Sequence, residues 1–200
     1  MDTILNKVRK AVEQLSLGTP FTAKHFSTIA APQVIDQALS QLTDREIIVR
    51  VCDEVFVRPK FSKWVEGPCL PPAHDVAKAI ADSQGDVISI AGATAANRFH
   101  LSTQVPMREI FLTSGPERFF ILKNQKIEMR HAPSEMLVLA GTPAGEALVA
   151  LLYLGESEVT VSTVKIIKKG LAPEQFTILC STSTSKPAWL SDLLITAYSQ

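Results

Sequence analysis

The sequence predicts an α+β protein, with an N-terminal winged helix-turn-helix and a C-terminal α+β domain. In the second domain a small, mainly antiparallel sheet is covered by helices. Three observations predict this. Residues 20–60 carry two helical segments followed closely by two β-branched runs. Prolines and a glycine then cluster between Pro59 and Pro72. Beyond them, short apolar runs split by turn residues give way to longer helical stretches. The expected organisation is a winged unit over residues 1–62, a linker over 63–72 and a second domain over 73–200.

Met1 to Leu17 opens with an amphipathic helix, in which Ile4, Val8, Ala11, Val12 and Leu15 form one stripe. Lys7, Arg9 and Lys10 stand opposite, and Gly18 ends the helix. Thr22 to Ile29 reads as a short helix capped by the Thr22 hydroxyl. Ala30 and Ala31 turn the chain, and Pro32 suits the first turn of the next helix, where no donor is lost. Ile35, Ala38, Leu39 and Leu42 recur there at helical spacing as its buried face. Ile47 to Val51 and Val55 to Val57 are strands, joined by a turn at Cys52-Asp53-Glu54.

The second helix of such a unit lies in a major groove, its first-turn residues at the base edges. With its apolar face inward, Pro32, Gln33, Asp36, Gln37, Ser40 and Gln41 point out. A glutamine amide donates and accepts at one edge and suits adenine, so Gln33, Gln37 and Gln41 are the expected base readers. That face carries no Arg or Lys. Lys24, Arg50, Arg58 and Lys60 are the expected phosphate contacts, with Lys63 beside them. Residues 1–70 hold nine Lys or Arg against eight Asp or Glu, a net of about +1. That footprint favours a specific reader, acting as a homodimer, over a non-specific binder. Small winged helices also serve purely as protein-contact modules, and this alternative stays open.

Pro59, Gly67, Pro68, Pro71 and Pro72 mark the linker, with Trp64 expected to anchor it on one domain. His74-Asp75 opens a helix over Val76 to Ser83, with Val76, Ala79 and Ile80 inward and Gly85 at its end. Val87 to Ile90, Ile110 to Thr113, Phe119 to Leu122 and Ile127 to His131 are the expected strands. Ser114-Gly115-Pro116 and Asn124-Gln125 are turns, and Gly92 to Asn97 is a small-residue helix start. Pro133 to Leu154 is mostly helix, interrupted around Gly141-Thr142-Pro143. Val164 to Lys169 and Ala188 to Tyr198 are terminal helices.

Net charge over the chain is zero, so a nucleic-acid site has to be a local patch. Cys52, Cys69 and Cys180 are an odd number without a CxxC pair, which gives neither a disulfide framework nor a zinc knuckle. No basic-then-apolar leader opens the chain and no apolar run is long enough to span a bilayer. A cytoplasmic protein without membrane partners is expected.

Several short motifs in order resemble the AbiEi-like family, the antitoxins of bacterial abortive-infection toxin–antitoxin pairs. They are Val57-Arg58-Pro59-Lys60, Gly92 to Asn97, Leu101 to Pro106, Leu112 to Pro116 and Arg130-His131-Ala132, over about residues 5 to 150. The resemblance implies a winged helix that binds repeats in the operon's own promoter and represses it. It also implies a second domain that counters a nucleotidyltransferase-like toxin encoded next door, by direct contact or by opposing its effect. The polar edge of Gln104, Arg108, Arg118 and Arg130 is the candidate toxin-facing surface. A stand-alone winged-helix regulator with a ligand-sensing or dimerisation domain is the alternative.

Enzymatic readings are weaker. No GxxxxGK loop, HExxH, GxSxG or kinase signature appears. Gly92-Ala93-Thr94-Ala95 follows a strand but offers one glycine and no nearby lysine, so close helix packing explains it better than a phosphate cradle. His100, His131 and Ser114 fit loop, strand-end and turn roles. Glu117, Glu128 and Lys126 have the residue types of a metal-dependent nuclease but also suit exposed strand positions. No cofactor, metal or catalytic residue is expected.

Overall fold

The structure, a computed structural model, describes residues 3–104, 106–182 and 186–198, with Val65 and Glu66 described by their backbone alone. Met1 and Asp2 of the expected first helix, and Val105 of the Leu101 to Pro106 motif, lie outside the described residues. The chain forms two compact units, Met1–Asp86 with Phe119–Ile127, and Val87–Arg118 with Glu128–Gln200.

The first unit opens with α1 (Ile4–Gln14), whose N-cap Thr3 accepts a hydrogen bond from the Asn6 amide. Val8 and Val12 are buried, as the stripe predicts, but Ile4 is exposed and Leu5 packs on the core instead. A short strand β1 (Pro20–Phe21) leads into a 3-10 helix, Ala23–Phe26. Here the expectation is corrected: the helix from Thr22 to Ile29 is one four-residue 3-10 turn, and the Thr22 side chain makes no cap. The turn is closed by backbone bonds three residues apart, the His25 amide on the Thr22 carbonyl and the Ser27 amide on the Lys24 carbonyl, a spacing that does not extend beyond a few residues.

α2 (Pro32–Asp44) begins with proline in its first turn and buries Ile35, Ala38, Leu39 and Leu42. Strands β2 (Val49–Cys52) and β3 (Val55–Val57) form the wing. The sheet order is β1-β3-β2, all antiparallel, with Phe21 opposite Phe56 and Arg50 opposite Phe56 on the other side. Helix, strand, helical turn, helix and hairpin in this order make a winged helix-turn-helix. Its core joins Val8 and Val12 to Phe21, Phe26, Leu39, Leu42, Ile48 and Phe56. Phe26 meets Phe21 edge-on with ring centroids 5.5 Å apart, and Phe56 stacks on Phe21 at 6.1 Å.

The expected linker contains structure of its own. β4 (Phe61–Ser62) and β5 (Val65–Pro68) pair antiparallel as a second hairpin, closed at its base by the Cys69 amide donating to the Lys60 carbonyl at 2.7 Å. Trp64 at its turn is 93% exposed, so the expected anchoring is not seen among the described residues. α3 (Ala73–Gln84) buries Val76, Ala77, Ile80 and Ala81 and packs on β1 and β3. That packing moves the boundary: α3, expected in the second domain, completes the winged unit. Gly85 ends α3 in the left-handed region, where a Cβ is strained.

The second unit holds β6 (Ile88–Ile90), α4 (Gly92–Arg98) and β7 (Ile110–Thr113). β8 (Arg118–Leu122) turns into β9 (Gln125–His131) at Lys123 and Asn124, both at positive φ, one position earlier than the expected turn, and the span Phe119–Ile127 of this hairpin is grouped with the first unit. Strand order is β6-β7-β9-β8, with β6 antiparallel to β7 and β7 parallel to β9, Phe111 opposite Met129. The return through β8 is what lets β7 and β9 run the same way. α5 (Ser134–Leu137) and α6 (Pro143–Leu154) follow, α6 capped by Thr142 on the Gly145 amide. α6 is buried nearly all round, packing on α4. α7 (Val161–Gly170), α8 (Pro173–Ser181) and α9 (Ala188–Tyr198) complete a helical core of Leu148, Leu151, Val164, Ile167, Leu179, Leu190 and Leu194. α8 was not anticipated from the sequence, although Pro173 and Glu174 are a fair helix start.

Candidate nucleic-acid interface

α2 has two faces because its apolar residues recur three and four apart. Its outward face carries Gln33, Asp36, Gln37, Ser40 and Gln41, all exposed. Gln33, Gln37 and Gln41 stand four residues apart, so their amides line up along one edge of the helix with a slow drift. Polar residues that donate and accept, on a helix beside a wing, can read base edges; they supply little of the charge that holds phosphates.

The four basic candidates separate into two places. Lys24 and Arg50 line one cleft of about 530 Å³ together with Thr22, Asp36, Asp53 and Phe56. The Arg50 guanidinium lies 4.8 Å from the Phe56 ring centroid, and its Nη1 donates to the Asp53 carbonyl at 3.0 Å. This ties Arg50 to the wing turn and leaves its charge at the mouth of the cleft. Lys24 is exposed on the 3-10 helix. Asp36, Asp53 and Glu54 also border this cleft, which makes its field mixed in sign. Thr22 is 8% exposed in the cleft wall.

Arg58 and Lys60 sit at the far end of β3. Arg58 is half-buried, and its Nη1 donates to the carbonyls of Glu13 at 2.8 Å and Leu15 at 2.5 Å. It therefore satisfies the last carbonyls of α1, a role that the Val-Arg-Pro pattern in the sequence does not reveal. Lys60 is exposed at the base of the second hairpin. Burial pushes the Cys52 thiol up, helped by the carboxylates of Asp53 and Glu54 and opposed by backbone amides.

In the second unit, Glu128 draws two of the candidate partner residues together. Arg130 donates to its Oε2 through Nη2 at 2.8 Å and through Nε at 3.1 Å, and Arg108 approaches Oε1 at 3.9 Å. Gln104 lies on the loop after α4 and gives its carbonyl to the Asn97 amide at 3.3 Å. Asn97 also donates to Ser102, so it fastens that loop. Arg118 begins β8. Of the residues weighed for chemistry, His131 donates through Nδ1 to the Gly115 carbonyl at 3.0 Å, and Ser114 accepts from the Val87 amide at 2.9 Å. His100 takes a left-handed φ of 57° in the turn that ends α4. A Cβ on Gly92 would stand 2.3 Å from the Tyr153 Cβ, so glycine there serves the contact of α4 with α6. Among the described residues, no group of three or more His, Cys, Asp and Glu is placed to hold a metal ion.

A protein-family model spans residues 7–179 and carries the description "Family of unknown function (DUF6088)". The chain belongs to DUF6088. The matched span of this family covers the whole winged unit from within α1 and runs on to the end region of α8. No curated protein and no solved structure matches the chain. No helix among the described residues is long and apolar enough to cross a membrane.

Lys60 and Lys63 were expected at phosphates and Trp64 as an anchor, but their grouping with Phe61 was not foreseen. Lys60, Phe61, Lys63 and Trp64 are exposed together on the second hairpin. The signal was there, in lysines interleaved with aromatics, but the surrounding prolines read as a linker.

Proposed function

We propose that the chain is a DNA-binding autoregulator and the antitoxin of a bacterial abortive-infection pair. Its winged unit binds repeats in its own promoter as a repressor, and its second unit counters a nucleotidyltransferase-like toxin. The observation that carries the DNA half is the outward face of α2, where Gln33, Gln37 and Gln41 are exposed in line beside a wing. In this reading α2 lies in the major groove with its glutamines at adenine edges. Lys24, Arg50 and Lys60 hold phosphates, and a homodimer sets the spacing of two half-sites. Such work is done in the cytoplasm.

The antitoxin half rests on the resemblance of Gly92 to Asn97, Leu112 to Pro116 and Arg130-His131-Ala132 to AbiEi-like sequences. The surface offered to the toxin is the Arg108 and Arg130 pair about Glu128, with Gln104 and Arg118. A promoter–reporter fusion, measured with and without the chain in cells that also carry the adjacent gene, tests both halves. Repression of the reporter together with rescue of growth supports the reading. Repression without rescue leaves a stand-alone regulator, and an unchanged reporter overturns the DNA half.

A further inference from the structure

The second hairpin is a feature that the recognition helix and wing do not account for. It is a closed β-hairpin: Phe61 pairs with Pro68 and Ser62 with Val65, and the Cys69 amide bonds the Lys60 carbonyl at its base. At its turn the Trp64 amide donates to the Ser62 hydroxyl at 3.3 Å, and within β5, where the register shifts, Gly67 takes a positive φ of 83°. A hairpin of this size, with its turn fastened by the Ser62 side chain, has no core of its own to hold. Yet it displays the most costly surface in the unit, Trp64 at 93% exposure and Phe61 at 69%. Lys60 and Lys63 are exposed beside them, and the sequence Lys60–Cys69 carries two lysines against one glutamate.

Aromatic faces interleaved with ammonium groups match one kind of partner. Bases offer π-faces for stacking and phosphates accept the cations. A lipid surface would ask for a broader apolar face. The geometry points to the Lys60–Trp64 hairpin as a second DNA contact. Trp64 and Phe61 act as an aromatic wedge at a base step in the minor groove that flanks the major groove taken by α2, and Lys60 and Lys63 seat on the adjacent phosphates. The chain length permits it. From Glu54 at the wing turn to Phe61 is seven residues, at most roughly 23 Å of extended chain, within the ~34 Å of one duplex turn. This inference rests on the winged unit binding duplex DNA, and adds a contact that opens the neighbouring step rather than reading the major groove.

Trp64 provides its own probe. The chain has two tryptophans, and Trp189 is half-buried against the helical core of the second unit. The emission lost in Trp64→Phe is therefore the Trp64 signal. The full-length chain is titrated with its own upstream duplex while acrylamide quenching is followed, and anisotropy gives the affinity of each variant. The expected result is that duplex protects Trp64 from acrylamide. Phe61→Ala/Trp64→Ala then weakens binding by about tenfold or more, and Lys60→Ala/Lys63→Ala flattens the log–log salt slope by about two. All four side chains are exposed, so these variants fold as the parent does. Duplex binding with Trp64 still open to acrylamide and no loss in the aromatic variant overturns the inference and leaves the regulator reading standing. Absence of duplex binding by the parent chain overturns both. Protection of Trp64 by anionic vesicles but not by duplex assigns the hairpin to a membrane and also overturns the inference.

Discussion

The Arg58 guanidinium donates to the Leu15 carbonyl at the end of α1, with a second bond to the Glu13 carbonyl at 2.8 Å. Sequence position, just after the wing, suggests a phosphate contact; the bonds bind the first helix to the sheet. Removing the side chain orphans two helix-end carbonyls. Arg58→Ala is expected to lower stability by roughly 1–2 kcal/mol while the salt slope of DNA binding stays as it was. Urea unfolding and anisotropy at several salt concentrations check the two halves separately. A flattened slope with unchanged stability returns Arg58 to the phosphate set.

Lys24 and Gln37 are expected to fail differently. Lys24→Ala weakens binding to every duplex alike and lowers the salt slope by about one, since a lost phosphate contact releases fewer counterions. Gln37→Ala leaves the slope and shifts base preference at one position, worth about 1–3 kcal/mol. Binding to a panel of single-base variants of the operator separates them, and an identical profile for the two variants contradicts the docking of α2.

α2 ends in a Schellman arrangement, the Ile47 amide on the Leu42 carbonyl and the Glu46 amide on the Thr43 carbonyl. Glu46 occupies its left-handed position with φ 57°. An exposed residue with a Cβ carries a strain there that glycine avoids. Glu46→Gly is expected to stabilise the winged unit by up to about 1 kcal/mol, net of the entropy glycine adds to the unfolded chain. A lower melting temperature in calorimetry contradicts the cap.

The Cys52 and Cys180 thiols are both pushed above their ordinary 9.0, first of all by burial. A raised folded value means that the native state holds the proton more tightly than the unfolded chain does. The associated stability is present in full below pH 9 and is lost as pH rises through the raised values. Alkylation at pH 8, followed peptide by peptide, is therefore expected to run slower at these two thiols in the native chain than in urea. Equal rates in both states contradict the assigned environments.

Helices and strands with strong periodicity were legible from the residues alone. Ile35, Ala38, Leu39 and Leu42 mark α2, and Ile110 to Thr113 coincides with β7. Short elements were not. The two-residue strands β1 and β4 owe their existence to partners Val57 and Pro68, and two residues are too few to show any periodicity. The boundary at residue 72 was misplaced because proline and glycine density says where regular structure stops, not what the next helix packs on; α3 goes with β1 and β3. At the site, exposure of the glutamines followed from helix geometry. The engagement of Arg58 depends on a contact 43 residues back in the chain, which no local pattern encodes.

The most direct test of the central claim is fluorescence anisotropy of the full-length chain with its own upstream duplex and with a scrambled duplex, at two salt concentrations. The account predicts a preference of about a hundredfold or more for the upstream sequence, with affinity falling as salt rises. Equal, weak binding to both duplexes would contradict it and leave the winged unit as a module for protein contact.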